Sequence, residues 1–240
     1  MIFHTADMHG RLSAKRAAKL RETLSADPDA LYFDSGDAVR HGNLDIRPWD
    51  RTLARLRQIG CAAMAVGNRE FHPWPTTSRW KARDAGFPLL AANIRLEGEP
   101  LTWIQPSTAI MTASGLRVGV FGLTLPIVKA GTWHERLSRF RFEEPVEAAR
   151  RTAAELRAQC DVVIALTHIG LSADRRIAGE VEGIDLILGG HSHSTTDPPE
   201  RIVGTTICHS GECARYVTRL EVSVAGPGDV VVRRQAVNLC

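Results

Sequence analysis

No apolar run among the 240 residues is long enough to cross a bilayer, and Met1 is followed at once by Ile2-Phe3-His4-Thr5, without a basic leader or a small-residue cleavage site. A helical membrane span and a secretory signal are therefore not expected, and the chain reads as a cytoplasmic protein. Cysteine is sparse, and Cys61, Cys160, Cys208, Cys213 and Cys240 form an odd, irregularly spaced set. That argues against a disulfide scaffold and for reduced thiols. Charge of one sign is also lacking, since the formal balance is only +3. The arginines alternate with acids along helical stretches, so they read as solvated faces and no nucleic-acid track is expected. There is no Gly-rich dinucleotide fingerprint, no phosphate-loop lysine motif and no serine elbow to direct the reading elsewhere.

What is present suits a globular protein with one sizeable core, since 44 % of the residues are hydrophobic and 24 % charged. One domain over residues 1–240 is the expectation. Short β-branched or apolar runs alternate with longer periodic ones, the pattern of an α/β chain. Strands are predicted at Ile2 to Thr5, Ala30 to Phe33, Cys61 to Val66, Leu89 to Ala92, Val162 to Leu166 and Ile184 to Leu188. Ser13 caps a helix with Ala17, Leu20 and Leu24 on one face. Trp49, Leu53 and Leu56 mark a second helical face, and Pro145 opens a third helix with Val146, Ala149, Ala153 and Leu156 as its buried stripe. Ser172 is expected to cap a short helix. Residues 93–106 read as a long loop, and Ser114-Gly115 turns a hairpin. The tail from Ile202 reads as two or three strands joined through Gly226-Pro227-Gly228.

Five polar clusters directly follow five of these strands, and open α/β sheets bind ligands beyond the carboxyl ends of their strands. In an extended segment Asp7 and His9 point the same way and can share a cation, although for the pair taken alone a surface turn stands ahead of a ligand pair. Asp37 follows Gly36, where a sharp turn can aim a carboxylate whose two oxygens bridge two cations. Asp34 reads as a cap for backbone N–H groups. Asn68 offers either a carbonyl ligand or a helix cap. Arg69 offers either a clamp on phosphate or a surface ion pair with Glu70. His168 closes an apolar strand as a ligand or as a core-edge histidine. His191 and His193 project from one tight segment after Gly189-Gly190. Imidazole, carboxylate and amide oxygen together suit manganese, iron or zinc better than calcium. If the seven side chains converge, the two carboxylates offset half the charge of two divalent cations and leave a positive site for a phosphoryl group. A hydroxide between such cations has a lowered pKa and an in-line path to phosphorus.

The ordered set Asp7-x-His9, Gly36-Asp37, Gly67-Asn68-Arg69-Glu70, Thr167-His168 and Gly190-His191-Ser192-His193 resembles the calcineurin-like metallophosphoesterases. The opening Phe3 to Gly10 is similar to the catalytic domain of the 5'-nucleotidase branch. The resemblance implies a four-layer α/β/β/α sandwich of two mixed β-sheets flanked by helices. It implies one metal held by Asp7, His9, Asp37 and His193 and another by Asp37, Asn68, His168 and His191, with Asp37 as the bridge. Two divalent ions, manganese first and iron or zinc next, would act on a small phosphorylated substrate, a nucleotide among the candidates. A phosphomonoesterase or nucleotidase-like activity stands ahead of a phosphodiesterase, or of a metal-bearing binding or regulatory domain with little turnover.

Two departures qualify the resemblance. Most family members carry histidine after the ligand asparagine, and here Arg69 stands there, a poor proton donor. His72 is the nearest alternative donor in sequence, while Arg40, His41 and His209 are lesser candidates for lining the cleft. Longer 5'-nucleotidases carry a further C-terminal domain that stacks the base, and the roughly twenty residues after Leu220 are too few for one. Trp74, Trp80, Trp103 and Trp133 are expected to be buried at least in part, with Trp74 the best placed to reach the site.

Overall fold

The computed structural model describes residues 1–42, 44–47, 49–226 and 229–240. In chain order the first elements are β1 (Ile2–Thr5), α1 (Ala14–Ser25), β2 (Leu31–Asp34), α2 (Arg51–Ile59), β3 (Ala63–Ala65), α3 (Pro75–Ala85) and β4 (Leu89–Leu90). They are followed by β5 (Ile94–Leu96), β6 (Glu99–Pro100), β7 (Ser107–Met111), β8 (Arg117–Thr124), α4 (Trp133–Ser138) and β9 (Phe140–Phe142). The remainder comprises α5 (Pro145–Arg157), β10 (Val162–His168), α6 (Leu171–Glu180), β11 (Leu186–Gly189), β12 (Glu200–Ile202), β13 (Thr205–His209), β14 (Tyr216–Gly226) and β15 (Asp229–Asn238).

Two six-stranded sheets result, in the orders β15-β14-β1-β2-β3-β4 and β12-β13-β11-β10-β8-β7. The first runs parallel from β1 to β4 and antiparallel at β14 and β15. The second is parallel across β8, β10, β11 and β13, with antiparallel edges β7 and β12. Both are mixed sheets, as expected.

The period-2 alternation of strand side chains explains the layering. Along β2, Tyr32 joins an outer cluster with Leu20 of α1, Leu53 and Leu56 of α2 and Ala82 of α3, while Phe33 faces the other way. Along β10, Val163 and Ala165 pack with Ala149 and Leu156 of α5 and Ile177 of α6, while Ile164 and Leu166 face the first sheet. A central layer of Phe33, Ala63, Ala65, Leu90, Val120, Ile164, Leu166 and Leu188 joins the sheets. This is the α/β/β/α sandwich.

The helices start and stop where their caps dictate. Ser13 Oγ accepts from Arg16 N at 3.2 Å, Asp50 caps α2 by accepting from Thr52 N at 2.6 Å, and left-handed Gly60 ends that helix. The cap expected at Ser172 falls elsewhere: α6 begins at Leu171, whose N–H donates to Ser192 Oγ at 3.2 Å. Trp49 precedes α2 and is exposed, so Leu53, Leu56 and Ile59 form the buried stripe. The loop expected over 93–106 contains β5 and β6, which join β9 in a three-stranded sheet. Of the expected 226–228 turn, Pro227 and Gly228 lie outside the described residues.

Candidate metal centre

Because β1, β2 and β3 are parallel, and β10 and β11 are parallel in the other sheet, their carboxyl ends bring distant residues together. Asp7 follows β1, Asp37 follows β2, Asn68 follows β3, His168 ends β10 and His191 follows β11. The turns that aim them are unusual. Among the described residues ten non-glycine positions have positive φ, and five of these are Asp7, His9, Asp37, His191 and His193. Left-handed backbone is uncommon outside glycine, and its concentration at one spot is a mark of functional strain.

Glycines provide the space. Gly67 has no room for a Cβ, which would lie 2.7 Å from Glu70 Oε2 and closer still to the backbone and carboxylate of Asp37. Gly190 passes so close to Ser35 O and Asp7 Oδ2 that a Cβ would meet them at 3.0 and 3.1 Å.

Two compact groups of ligand atoms form, Asp7 with His9 and His193, and Asp7 with Asp37 and His168. In the first, the Nε2 atoms of His9 and His193 lie 3.0 Å apart, and Asp7 Oδ1 is 4.0 Å from one and 3.5 Å from the other. Asp7 Oδ1 and His9 Nδ1 are buried without hydrogen-bond partners. Glu212 Oε2 sits 3.0 Å from His193 Nδ1, which turns the lone pair of Nε2 inward.

In the second group His168 Nδ1 lies 2.7 Å from Ser35 O, a carbonyl that can only accept. The ring proton is therefore on Nδ1. Burial holds His168 down at about 4, so the ring is neutral near pH 7 and Nε2 is a bare lone pair. That lone pair faces Asn68 Oδ1 at 3.2 Å and Asp37 Oδ1 at 3.5 Å. Three acceptors thus converge with no proton between them, an arrangement that a cation satisfies.

Burial first, and then the charges of Asp37, Asp34 and Glu70, push the Asp7 carboxyl up to about 8 against the pull of the His191 N–H. His9 is lowered by burial and then by Arg69. His191 adds its backbone N–H, which donates to Asp7 Oδ2 at 2.9 Å, and its ring packs edge-on against His168 at 5.1 Å. It belongs to neither compact group. Both groups contain Asp7, whereas the resemblance made Asp37 the shared ligand.

Arg69 stands at the rim. Its Nε lies 3.4 Å from Asp37 Oδ2, its Nη1 donates to Arg40 O at 3.0 Å, and its backbone N donates to Asp37 Oδ1 at 2.8 Å. Glu70 is no surface partner for it. The Glu70 carboxylate is buried and accepts from Asp37 N at 2.8 Å, Val39 N at 3.1 Å and Gly67 N at 3.1 Å, tying two of the strand-end loops together. Asp34 caps as expected, accepting from Gly36 N at 2.9 Å and from the Thr5 hydroxyl.

His72 does not join the cluster. It is 1 % exposed, its Nδ1 accepts from Trp74 N at 3.0 Å, and its Nε2 is buried without a partner. His209 is also buried, 2.7 Å from Asp174 Oδ2 behind Gly189. Trp103 alone of the four tryptophans is partly buried, donating to Ser78 Oγ. Trp74, Trp80 and Trp133 are exposed, and Trp74 and Trp133 wall a groove of about 320 Å³ with Phe71 and Leu137. Trp74 caps the start of α3, Trp80 lies within it and Trp133 opens α4, each with its side chain open to solvent. Glu212 was missed in the sequence, and Glu70 was read there only as a surface partner of Arg69; the rule that ligand histidines need a second hydrogen-bond partner is what could have prompted a search for Glu212.

A two-sheet sandwich with imidazoles and carboxylates gathered at the strand ends is the frame of a phosphoester hydrolase. Residues 1–195 match the family described as calcineurin-like phosphoesterase, and the chain belongs to that family. It is 29 % identical over 270 residues to the trifunctional nucleotide phosphoesterase protein YfkN of Bacillus subtilis, across 95 % of this chain and 18 % of that one. It is 27 % identical over 235 residues to the 5'-nucleotidase of Bos taurus, across 84 % and 40 % of the two chains. The solved 5'-nucleotidase precursor from Thermus thermophilus superposes with a TM-score of 0.83 at 23 % identity, over 99 % of this chain and 54 % of that one, a likeness of fold. The chain spans at most half the length of the curated relatives named first.

Proposed function

We propose that this chain is a metal-dependent hydrolase of small phosphoesters, with phosphomonoesters such as nucleotides as its first substrates. The observation that carries the reading is the meeting of the bare His168 Nε2 with Asn68 Oδ1 and Asp37 Oδ1 beside the Asp7, His9 and His193 group. One cation would be held by Asp7, His9, Asp37 and His193 and the other by Asp37, Asn68, His168 and His191. Asp7, common to both compact groups, is the rival for the bridging position. Two divalent ions, manganese first, supply an ionised water and neutralise phosphate charge when bound.

The chain's own residues do the rest. Arg69, fixed by Asp37 and the Arg40 carbonyl, presents a planar guanidinium to the phosphate oxygens. It cannot give up a proton, so the reading favours substrates whose leaving oxygen needs little protonation. Glu212 and Ser35 O hold His193 and His168 in the tautomers that leave Nε2 free. The nucleotide preference rests on the relatives, a nucleotide phosphoesterase and a 5'-nucleotidase by name. Residues 1–240 act as one catalytic domain in this reading. All five cysteines are free thiols, four of them buried, which suits a cytoplasmic location.

The test is a paired rate assay on chelator-stripped protein reconstituted with manganese, using an activated phosphomonoester and an activated phosphodiester. Metal-dependent hydrolysis with the monoester ahead is expected, and no turnover of either would overturn the hydrolase reading. Arg69→Ala is expected to lower kcat/KM by about a hundredfold while leaving metal content intact. Equal loss of metal and rate would contradict the clamp role.

A further inference from the structure

A second concave site adjoins the metal centre. Gly10, Arg40, His41, Arg47, Arg51 and Arg55 line a pocket of about 320 Å³, with Asp50 as its lining carboxylate. Asp50 is already engaged, since its Oδ1 accepts from Thr52 N, and Arg47 is paired with Asp45 outside the pocket lining. Arg40 and Arg51 make no side-chain hydrogen bond or ion pair among the described residues.

The placement of these cations is unfavourable for the fold taken alone. Arg51 and Arg55 stand four apart on α2, where like charges repel, and Arg51 is the first residue of a helix whose N-terminus already carries partial positive charge. No acidic residue lies in that first turn. The Asp50 cap offsets part of the helix-end charge, and an anion in the pocket would offset the repulsion that remains among the arginines.

The pocket and the metal centre share a wall. Gly10 follows His9, its N–H donates to Ala38 O at 2.8 Å, and a Cβ on it would lie 2.8 Å from the Arg40 backbone. Arg40 in turn gives its carbonyl to Arg69, whose Nε faces Asp37. A molecule with one phosphate at Arg69 therefore meets the arginine pocket as the next surface beyond Arg40.

We propose that this pocket is a second anion subsite, which takes a further phosphate group of the substrate while the scissile phosphate lies at the metal centre. The assignment rests on the hydrolase reading and narrows its substrates to phosphoesters bearing a second phosphate. Arginine forks match phosphate oxygens in pairs, and the uncommitted Arg40 and Arg51, with Arg47 held by Asp45 and Arg55 donating to Leu12 O at 2.6 Å beside them, favour a dianionic group over a neutral sugar or base.

The test starts with the chelator-treated chain titrated with pyrophosphate at low ionic strength, where no metal ion contributes to binding. Wild type is expected to bind, and the double variant Arg40→Ala/Arg51→Ala to bind at least about tenfold more weakly. The control Arg150→Ala/Arg176→Ala, which removes the same charge from the surface of α5 and α6, is expected to bind as wild type does. Absence of binding to wild type, or equal weakening in both double variants, overturns the subsite. With manganese restored, KM for a sugar bisphosphate relative to its monophosphate is expected to rise about tenfold in Arg40→Ala/Arg51→Ala. An unchanged ratio overturns the assignment to a second substrate phosphate. The titration needs no turnover, so an inactive reconstituted protein counts against the hydrolase reading and leaves the subsite to be decided by the titration.

Discussion

Asp34 is a carboxylate with no access to solvent, held by the Gly36 N–H on one oxygen and the Thr5 hydroxyl on the other. Burial pushes it up to about 7 against the pull of both hydrogen bonds. The unfolded chain ionises this group near its ordinary value, so between pH 4 and pH 7 the folded state binds the extra proton. Stability from the protonated carboxyl is full below about pH 4 and is lost as pH rises through about 7. Relative to Asp34→Asn, metal-free wild type is expected to lose about 1.4 kcal/mol per pH unit across that window. Urea denaturation of both proteins at several pH values measures it, and a difference that stays flat would contradict the account. Single residues were legible in the sequence to different degrees. Asp7, His9, Asp37 and Asn68 sit in short motifs after strands, whereas Glu212 is 19 residues beyond the histidine it orients and belongs to no motif.

The strand-end segments that carry the ligands are tied to one another by backbone hydrogen bonds. His9 N donates to Asp37 O, Asp7 N to Gly36 O, Cys213 N to Asp7 O and Gly190 N to Thr167 O. Gly67 packs directly against the Asp37 loop, where a Cβ would meet the Asp37 backbone and carboxylate. Gly67→Ala is expected to cost about 1–3 kcal/mol, because its Cβ would force the Asp37 carboxylate and Glu70 apart. It should also lower metal affinity through the displaced Asp37. Thermal unfolding and metal titration together check this, and a variant with wild-type stability and affinity would contradict it. Helices α1, α2 and α5 are legible because caps and apolar spacing agree over nine residues or more. The three-stranded sheet is not, since β5, β6 and β9 have only two or three residues each and no period can develop in them. Helix α4 is hidden for a related reason: it has six residues and buries only Ser138.

The whole molecule packs two sheets face to face so that the carboxyl ends of β1, β2, β3, β10 and β11 meet around one cleft. Strand periodicity indicates an α/β chain, but nothing in it says that β8, β10 and β11 leave the first sheet to build a second. That partition depends on long-range pairing, and only the resemblance of the five motifs supplied it in advance. The two sheets pack through Phe33, Leu90, Ile164, Leu166 and Leu188, and that dry layer holds His168 and His191 of one sheet against Asp7, Asp37 and Asn68 of the other. The candidate centre exists only at this junction. Its most direct test is elemental analysis of wild type and Asp37→Asn after stripping, reconstitution with manganese and removal of free metal. About two ions per wild-type chain are expected, with a clear loss in a variant that remains folded. A wild-type chain that retains no metal, or an Asp37→Asn chain that retains the full complement, would contradict it.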